Sequence, residues 1–337
     1  VKASAPGKII LLGEHAVVYG RPALAVPVPQ LSAQAEVTGS IRPGIWIEAP
    51  DIGLHADLDS LPAADPLAAL VRNLLAGFGL ASRPDLQIQI HSTIPVASGL
   101  GSGAAVSVAI IRAMAAEMDI ALSDDQVSAY AFEIEKLYHG TPSGIDNTVV
   151  TFAKPVFFAS GKPPEPLDIG APLTFVIGDT GIPAPTRASV ADVRRLRESD
   201  IAKWEVVFDQ IGALVILGKG CIETGAATQL GALLDQDQAL LEQLQVSSPE
   251  LDRLILAARQ AGALGAKLSG GGRGGNMIAL GTEETAQTIA AALSSAGARR
   301  VLVATLEKSL PVAGDMSLPR PQPTGENPPH IASDERS

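Results

Sequence analysis

The chain has one cysteine, Cys221, in 337 residues, and only 4% of its residues are aromatic. A lone thiol excludes an internal disulfide and any metal site built from several thiolates, and it suits a reducing, cytoplasmic setting. Charged residues are few, 18%, and the acidic ones prevail to leave a formal net charge of −11. That sign repels phosphate backbones, and no basic patch stands out against it, so neither nucleic acid nor an anionic membrane is an expected partner. No apolar run is long enough to span a bilayer, and no basic-then-apolar leader opens the chain at Val1. The first residue is not Met, which marks a processed or trimmed chain. Two common nucleotide motifs are also missing. None of Gly7-Lys8, Gly161-Lys162 and Gly218-Lys219 is followed by Ser or Thr, as a P-loop requires, and Gly99-Leu100-Gly101-Ser102-Gly103-Ala104 lacks the last glycine of the dinucleotide fingerprint.

What is present is a large apolar fraction, 46%, enough for a sizeable core and two domains. Residues 95–112, PVASGLGSGAAVSVAIIR, run from a loop of small residues into a nearly all-apolar helix. Such a junction offers free backbone N–H groups and the positive end of a helix dipole, with glycines at 99, 101 and 103 clearing the approach. Polyphosphate suits it best, and a plain strand-to-helix turn is the structural alternative.

Upstream, the pattern predicts two short strands around Ala5-Pro6-Gly7, then strands of a meander over Ala33 to Thr38 and Ile45 to Glu48. Helical spacing of Leu67, Leu70, Val71, Leu74 and Leu75 follows, and Leu86, Ile88 and Ile90 alternate as a half-buried strand. Ile9 to Leu12 reads as a strand buried on both faces, ending beside Glu14 and His15. Ser123-Asp124-Asp125-Gln126 opens a helix with a capping box, and Ser247-Ser248-Pro249-Glu250 opens another. Glu133 and Glu135 fall in the last turns of the first, where a carboxylate meets the unfavourable end of the dipole. Asp146 reads equally as the N-cap of a short helix or as a site residue, and so does Thr186. Lys154 to Pro166 reads as a boundary, giving domains at 1–160 and 161–308, and residues 309–337 read as a disordered tail.

The run PGKIILLGEHAVVYG (residues 6–20) resembles the first signature of mevalonate kinases, within the GHMP family of small-molecule kinases; galactokinases share its Gly-Glu-His. The loop at 95–105 resembles the second, phosphate-binding signature, and KLSGGGRGGNMIAL (267–280) resembles the third. EKLYHGTPSGIDN (135–147) is similar to the segment that carries a metal-ligating glutamate and the catalytic aspartate in that family. The resemblance implies an α+β, two-domain fold: an N-terminal α/β domain with a glycine-rich phosphate loop and a C-terminal ferredoxin-like α+β domain. It implies ATP-dependent phosphorylation of the 5-hydroxyl of mevalonate, with Mg²⁺ as the metal. Asp146 and Lys8 would be catalytic and Glu135 would hold the metal, with Ser102 or a water expected to fill the place left by the ligand that Gly103 lacks. ATP would lie on Pro95, Ala97, Ser98, Gly99, Leu100, Gly101, Ser102, Gly103, Ala104 and Ala105, with Gly271 and Gly272. Glu14, His15 and Thr186 would meet mevalonate, Glu14 through a hydroxyl because it repels the carboxylate, and His15 as a hydrogen-bond donor. The resemblance leaves the carboxylate's partner open, and Arg187, next to Thr186, is the expected one.

Three departures stand out. Gly103 replaces a serine that the family uses as a metal ligand. Ser269 stands in place of a threonine, and the bulky Arg273, with a phosphate as its expected contact, stands among small residues. Asn276 replaces a residue that is often cysteine. Rival expectations are a sibling kinase acting on phosphomevalonate or another alcohol, a related decarboxylase, and a non-catalytic metabolite sensor. The oligomeric state is open, a homodimer being one option.

Overall fold

Ile9 to Leu12 is buried on both faces, as the end of a long first strand, β1 (Lys2–Leu12), in the computed structural model of the protein. The structure describes residues 1–309 except 81, 96–98, 140, 141, 160 and 185. Ala97, Ser98 and the expected tail from 310 onward lie outside these. Ser309 belongs to the fold: its N–H donates to the Ile169 carbonyl at 2.9 Å, and its hydroxyl accepts the Ile169 N–H at 2.8 Å.

The first half continues through β2 (Ala23–Gly39), β3 (Ile45–Ala49), β4 (Leu54–Asp57), α1 (Pro66–Gly77) and β5 (Leu86–Ser92). Then come α2 (Ser102–Glu117), α3 (Asp124–His139), α4 (Ile145–Phe152), β6 (Val156–Phe158) and β7 (Glu165–Pro166). β2 is the spine of the sheet. β1 pairs along its whole length on one edge, while β5 and β6 share the other, giving the order β4-β3-β5-β2-β6-β7 with β1 beside β2. The expected meander is absent, because β5 inserts between β2 and β3 and pairs with β3 in parallel. The two strands expected around Ala5-Pro6-Gly7 are one. There the partner jumps from Ser32 to Val28, and this bulge in β2 accommodates the proline without ending β1. β6 and β7 still pair with this sheet, so it extends past residue 160. α2 has no polar face to offer water, and it is correspondingly buried against β1 and β2. The Ser123–Gln126 box forms as read, with the Ser123 N–H on Gln126 Oε1 at 2.9 Å and the Gln126 N–H on Ser123 Oγ at 3.3 Å.

The second half comprises β8 (Leu173–Asp179), α5 (Thr186–Ser199), α6 (Ile201–Thr224), α7 (Ala227–Gln243), α8 (Pro249–Gln260), β9 (Gly265–Ser269), β10 (Asn276–Gly281), α9 (Ala286–Ser295) and β11 (Arg300–Leu306). Its sheet is antiparallel in the order β11-β8-β10-β9, the ferredoxin-like arrangement, with α8 and α9 packed on it. Ser248, not Ser247, caps α8, accepting the Leu251 N–H, while the Ser247 hydroxyl goes to Asp252. Among the described residues no helix is long and apolar enough to cross a membrane.

β9 is an edge strand, and α7 closes its open edge with side chains. Asp235 Oδ1 accepts the Ala266 N–H and Gln238 Oε1 accepts the Leu268 N–H, each at 2.9 Å. Three residues along a helix here match two along a strand, so no backbone partner is needed. At the end of β9, the Ser269 hydroxyl takes the Ile10 N–H at 3.2 Å and donates to the Ile10 carbonyl at 3.0 Å. One side chain thus joins the two sheets.

Replacing Ser269 by Ala removes both bonds from a buried stretch of backbone. Stability should fall by about 1–3 kcal/mol, the cost of unsatisfied buried groups, read as a lower midpoint in urea unfolding. An unchanged midpoint would show that the hydroxyl is not what joins the sheets.

Candidate active site

Lys8 is set by strand geometry and by a missing side chain. Its N–H donates to the Leu100 carbonyl at 2.9 Å. Its methylene stem then passes over Gly101, where a Cβ would stand 2.8 Å from Lys8 Cγ. Only glycine permits that approach, and Gly101, at φ 76°, also holds a left-handed conformation. The ammonium reaches Asp146 Oδ1 at 2.9 Å. Asp146 is not the N-cap of α4; that is Gly144, and the aspartate sits in the first turn, where the dipole favours its charge. Lys8 is buried and Asp146 about a quarter exposed, so the pair is closed on one side and open on the other.

The open side is a cleft of about 1100 Å³. Gly99, Gly101, Ser102 and Gly103 line it. α2 begins there with no side-chain cap, leaving its first N–H groups for a ligand. Leu100, Ala104 and Ala105 turn their side chains into the core and offer backbone alone. Pro95 and Gly272 are not part of the cleft lining, whereas Gly271 is. Gly272 backs onto the Val246 carbonyl instead. Glu135, 3% exposed, lines the cleft from the last turns of α3. Among the described residues no three His, Cys, Asp or Glu side chains cluster to chelate a metal unaided. Mg²⁺ does not require such a cluster, because it takes one or two carboxylates with phosphate oxygens and water. Glu135 and the Ser102 hydroxyl fit that role.

Glu14, His15, Thr186 and Arg187 line the same cleft. His15 holds a left-handed φ of 61° and approaches Gly271 O with Nε2 at 3.2 Å. A carbonyl only accepts, so Nε2 carries the proton and Nδ1 is the acceptor. The donor expected of His15 is therefore already used, and what it offers a ligand is an acceptor. Burial foremost, with the nearby cations Lys267 and Arg273, lowers its pKa to about 4 against the hydrogen bond to Gly271. Thr186 starts α5 and packs on the third glycine loop, where a Cβ on Gly271 would come 2.9 Å from Thr186 Cα. From there Arg187, Val190, Ala191 and Arg194 line the cleft at helical spacing.

Arg273 departs from its expected role. It does not line the cleft; it bonds Asp192 of α5 through Nη1 and donates to the Gln245 carbonyl from Nε and Nη2, each at 3.2 Å. That guanidinium holds the Asp192 carboxyl below its usual range. Sequence reasoning also missed three charged residues. Arg194 was detectable from its spacing to Arg187. Lys267 bonds Glu14 Oε1 and donates to the Leu268 carbonyl at 2.7 Å, and Asp237 of α7 stands beside it. Asp237 falls on the buried stripe of α7, in line with Leu230, Leu233, Leu234 and Leu241, whereas Asp235 lies off it, so helical spacing was the signal that could have found it.

Residues 67–154 match the GHMP kinases N terminal domain, and residues 219–299 match GHMP kinases C terminal. The chain is similar to the mevalonate kinase of Pyrococcus horikoshii, 37% identical over 297 residues that cover 83% of this chain and 88% of that one. It is equally similar to the mevalonate kinase of Archaeoglobus fulgidus, 37% over 279 residues, 82% and 91%. Among solved structures it is similar to L. major mevalonate kinase in complex with R-mevalonate, with a TM-score of 0.80, 28% identity, and 92% and 96% of the two chains covered.

A histidine neutral down to about pH 4 in the folded state, but titrating near 6.5 unfolded, leaves the unfolded chain with the extra proton between those values. Folding stability should thus drop as pH falls through that window, by up to roughly 1.4 kcal/mol per unit. The His15→Gln variant should lose that part of the slope in urea titrations. An ¹⁵N titration of the imidazole placing its midpoint near 6.5 would refute the assignment.

Proposed function

The chain belongs to the GHMP kinase family, in its mevalonate kinase branch, and from that premise we propose that it transfers the γ-phosphoryl group of ATP to the 5-hydroxyl of mevalonate. The observation that carries this reading is the Lys8–Asp146 pair, 2.9 Å apart, beside the uncapped start of α2 in one cleft.

Phosphoryl transfer is mainly positioning and charge stabilisation. Asp146 accepts the proton of the attacking hydroxyl, for which its exposed side is available. Lys8 stabilises charge on the oxygen being deprotonated and on the group in transit. The N–H groups of residues 102–104 receive the triphosphate. Glu135 and the Ser102 hydroxyl would hold Mg²⁺, which when bound would supply charge neutralisation on the phosphates. The adenine base suits the apolar part of the lining contributed by Ala49, Leu67, Ile90, Ile94 and Val106. The guanidinium groups of Arg187 and Arg194 are cations lining the same cleft, available for the substrate carboxylate. His15 Nδ1 accepts from a substrate hydroxyl. We place the enzyme in the cytoplasm, where Cys221 stays reduced.

An ADP-release assay across mevalonate, phosphomevalonate, homoserine and galactose should show the highest rate with mevalonate; preference for any other would overturn the reading. Asp146→Asn should lower turnover roughly 10²–10⁴-fold with little change in nucleotide affinity. Near-normal turnover would remove Asp146 from the chemistry. Gly103→Ser, which restores a hydroxyl to the start of α2, should lower the Mg²⁺ concentration for half-maximal rate with mevalonate KM little changed. An identical Mg²⁺ titration would place residue 103 outside the metal's reach.

A further inference from the structure

Behind Glu14 lies a cluster that the chemistry above does not use. Lys267 and Asp237 are 0% exposed and Glu14 is 1% exposed, so water does little to weaken their interaction. The Lys267 ammonium has three protons. One goes to Glu14 Oε1, one to the Leu268 carbonyl, and the third looks toward Asp237 Oδ2 at 3.4 Å without forming a hydrogen bond. Both Asp237 carboxyl oxygens and Glu14 Oε2 therefore have no hydrogen-bond partner. The two carboxyls stand within reach of each other, acceptor against acceptor.

Two carboxylates and one ammonium leave an excess buried anion, which is strongly disfavoured. One proton removes that charge and creates the missing donor. Glu14 is the carboxylate that Lys267 bonds directly, so the proton belongs on Asp237, beside the Glu14 carboxylate. Burial, against the pull of Lys267 and with the charge of Glu14 added, raises the Asp237 carboxyl to about 8. The other surroundings add no charge. α6 packs on α7 with apolar residues and the buried Cys221, β1 with its apolar run, His15 is neutral, and Asp235 pairs outward with Arg259.

We propose that Asp237 and Lys267 are positioning residues for phosphoryl transfer: they hold one shared proton against Glu14 and so fix the Gly13–His15 turn that forms the substrate wall. The role rests on the mevalonate kinase reading, and neither residue touches the substrate.

The test compares wild type with Asp237→Asn, which is neutral and still donates, and Asp237→Ala, which is neutral and cannot. Kinetic constants are measured on either side of pH 8. Wild-type mevalonate KM should rise roughly 3- to 10-fold as Asp237 ionises while ATP KM holds; Asp237→Asn should stay within about two-fold throughout, and Asp237→Ala should be raised at every pH. Asp237→Asn as impaired as Asp237→Ala at neutral pH, or an alkaline rise shared by wild type and Asp237→Asn, would overturn the proposal. Urea unfolding supplies a readout independent of substrate. An aspartate titrating at 3.8 unfolded and about 8 folded makes the folded chain hold the extra proton in between. Wild type should therefore lose stability relative to Asp237→Asn as pH rises through that window, then level off. A stability gap constant with pH would exclude the shared proton. Should wild type phosphorylate no mevalonate, the functional reading falls, and this second measurement still decides on the cluster. Should Asp237→Ala fail to fold, the comparison of wild type with Asp237→Asn carries the test.

Discussion

β1 pairs with one strand, β2, and its other edge is closed by bonds that no sheet supplies. Residues 8 and 10 point their backbone groups to that edge, as alternate residues of a strand do. The Lys8 N–H is taken by the Leu100 carbonyl, and both polar groups of Ile10 by the Ser269 hydroxyl. The glycine loops of the second and third signatures are thereby tied to the same strand two residues apart. The position of the Lys8 ammonium, and through it the ion pair with Asp146, depends on those ties.

Much of this was legible in the sequence, because local signals dominate the relevant segments. A continuous apolar run ending at a glycine gives a buried strand, a small-residue loop before an apolar helix gives an uncapped N-terminus, and Ser-x-x-Gln gives a box. Lys8, Asp146, Glu14, His15, Thr186 and Arg187 all line the expected cleft. What was not legible is non-local. The insertion of β5 between β2 and β3 is a choice of pairing that alternation does not encode. Arg273 lies in a motif associated with phosphate, yet a positive φ and the nearby Asp192 direct it away from the cleft. Lys267 carries ordinary surface chemistry and only the tertiary packing makes it internal, whereas Asp237 sits on the apolar stripe of α7 and was overlooked because its charge reads as a surface feature.

The distribution of charge follows a similar logic. The chain as a whole is anionic, at −11, and its proposed substrates are anions. Charges beyond about 8 Å are screened at physiological salt, so the local field of Lys8, Arg187 and Arg194 governs the cleft while the distant surface charge contributes to solubility. Two of the acidic residues that line the cleft are placed accordingly: Glu14 is held by Lys267 and Asp146 by Lys8.

The only thiol of the chain lies in the core that both sheets share, on α6, where the backbone at Gly218 comes close to Leu12 and Leu24. Cys221 is 7% exposed and burial raises its pKa, so it is hidden and less of it is thiolate than in a free cysteine. A thiol-specific reagent reaches it fully only when the packing around α6 opens. The labelling rate of the unaltered protein is then a clock for that opening event, and its slowing by nucleotide or substrate would measure how firmly each ligand clasps the two halves together.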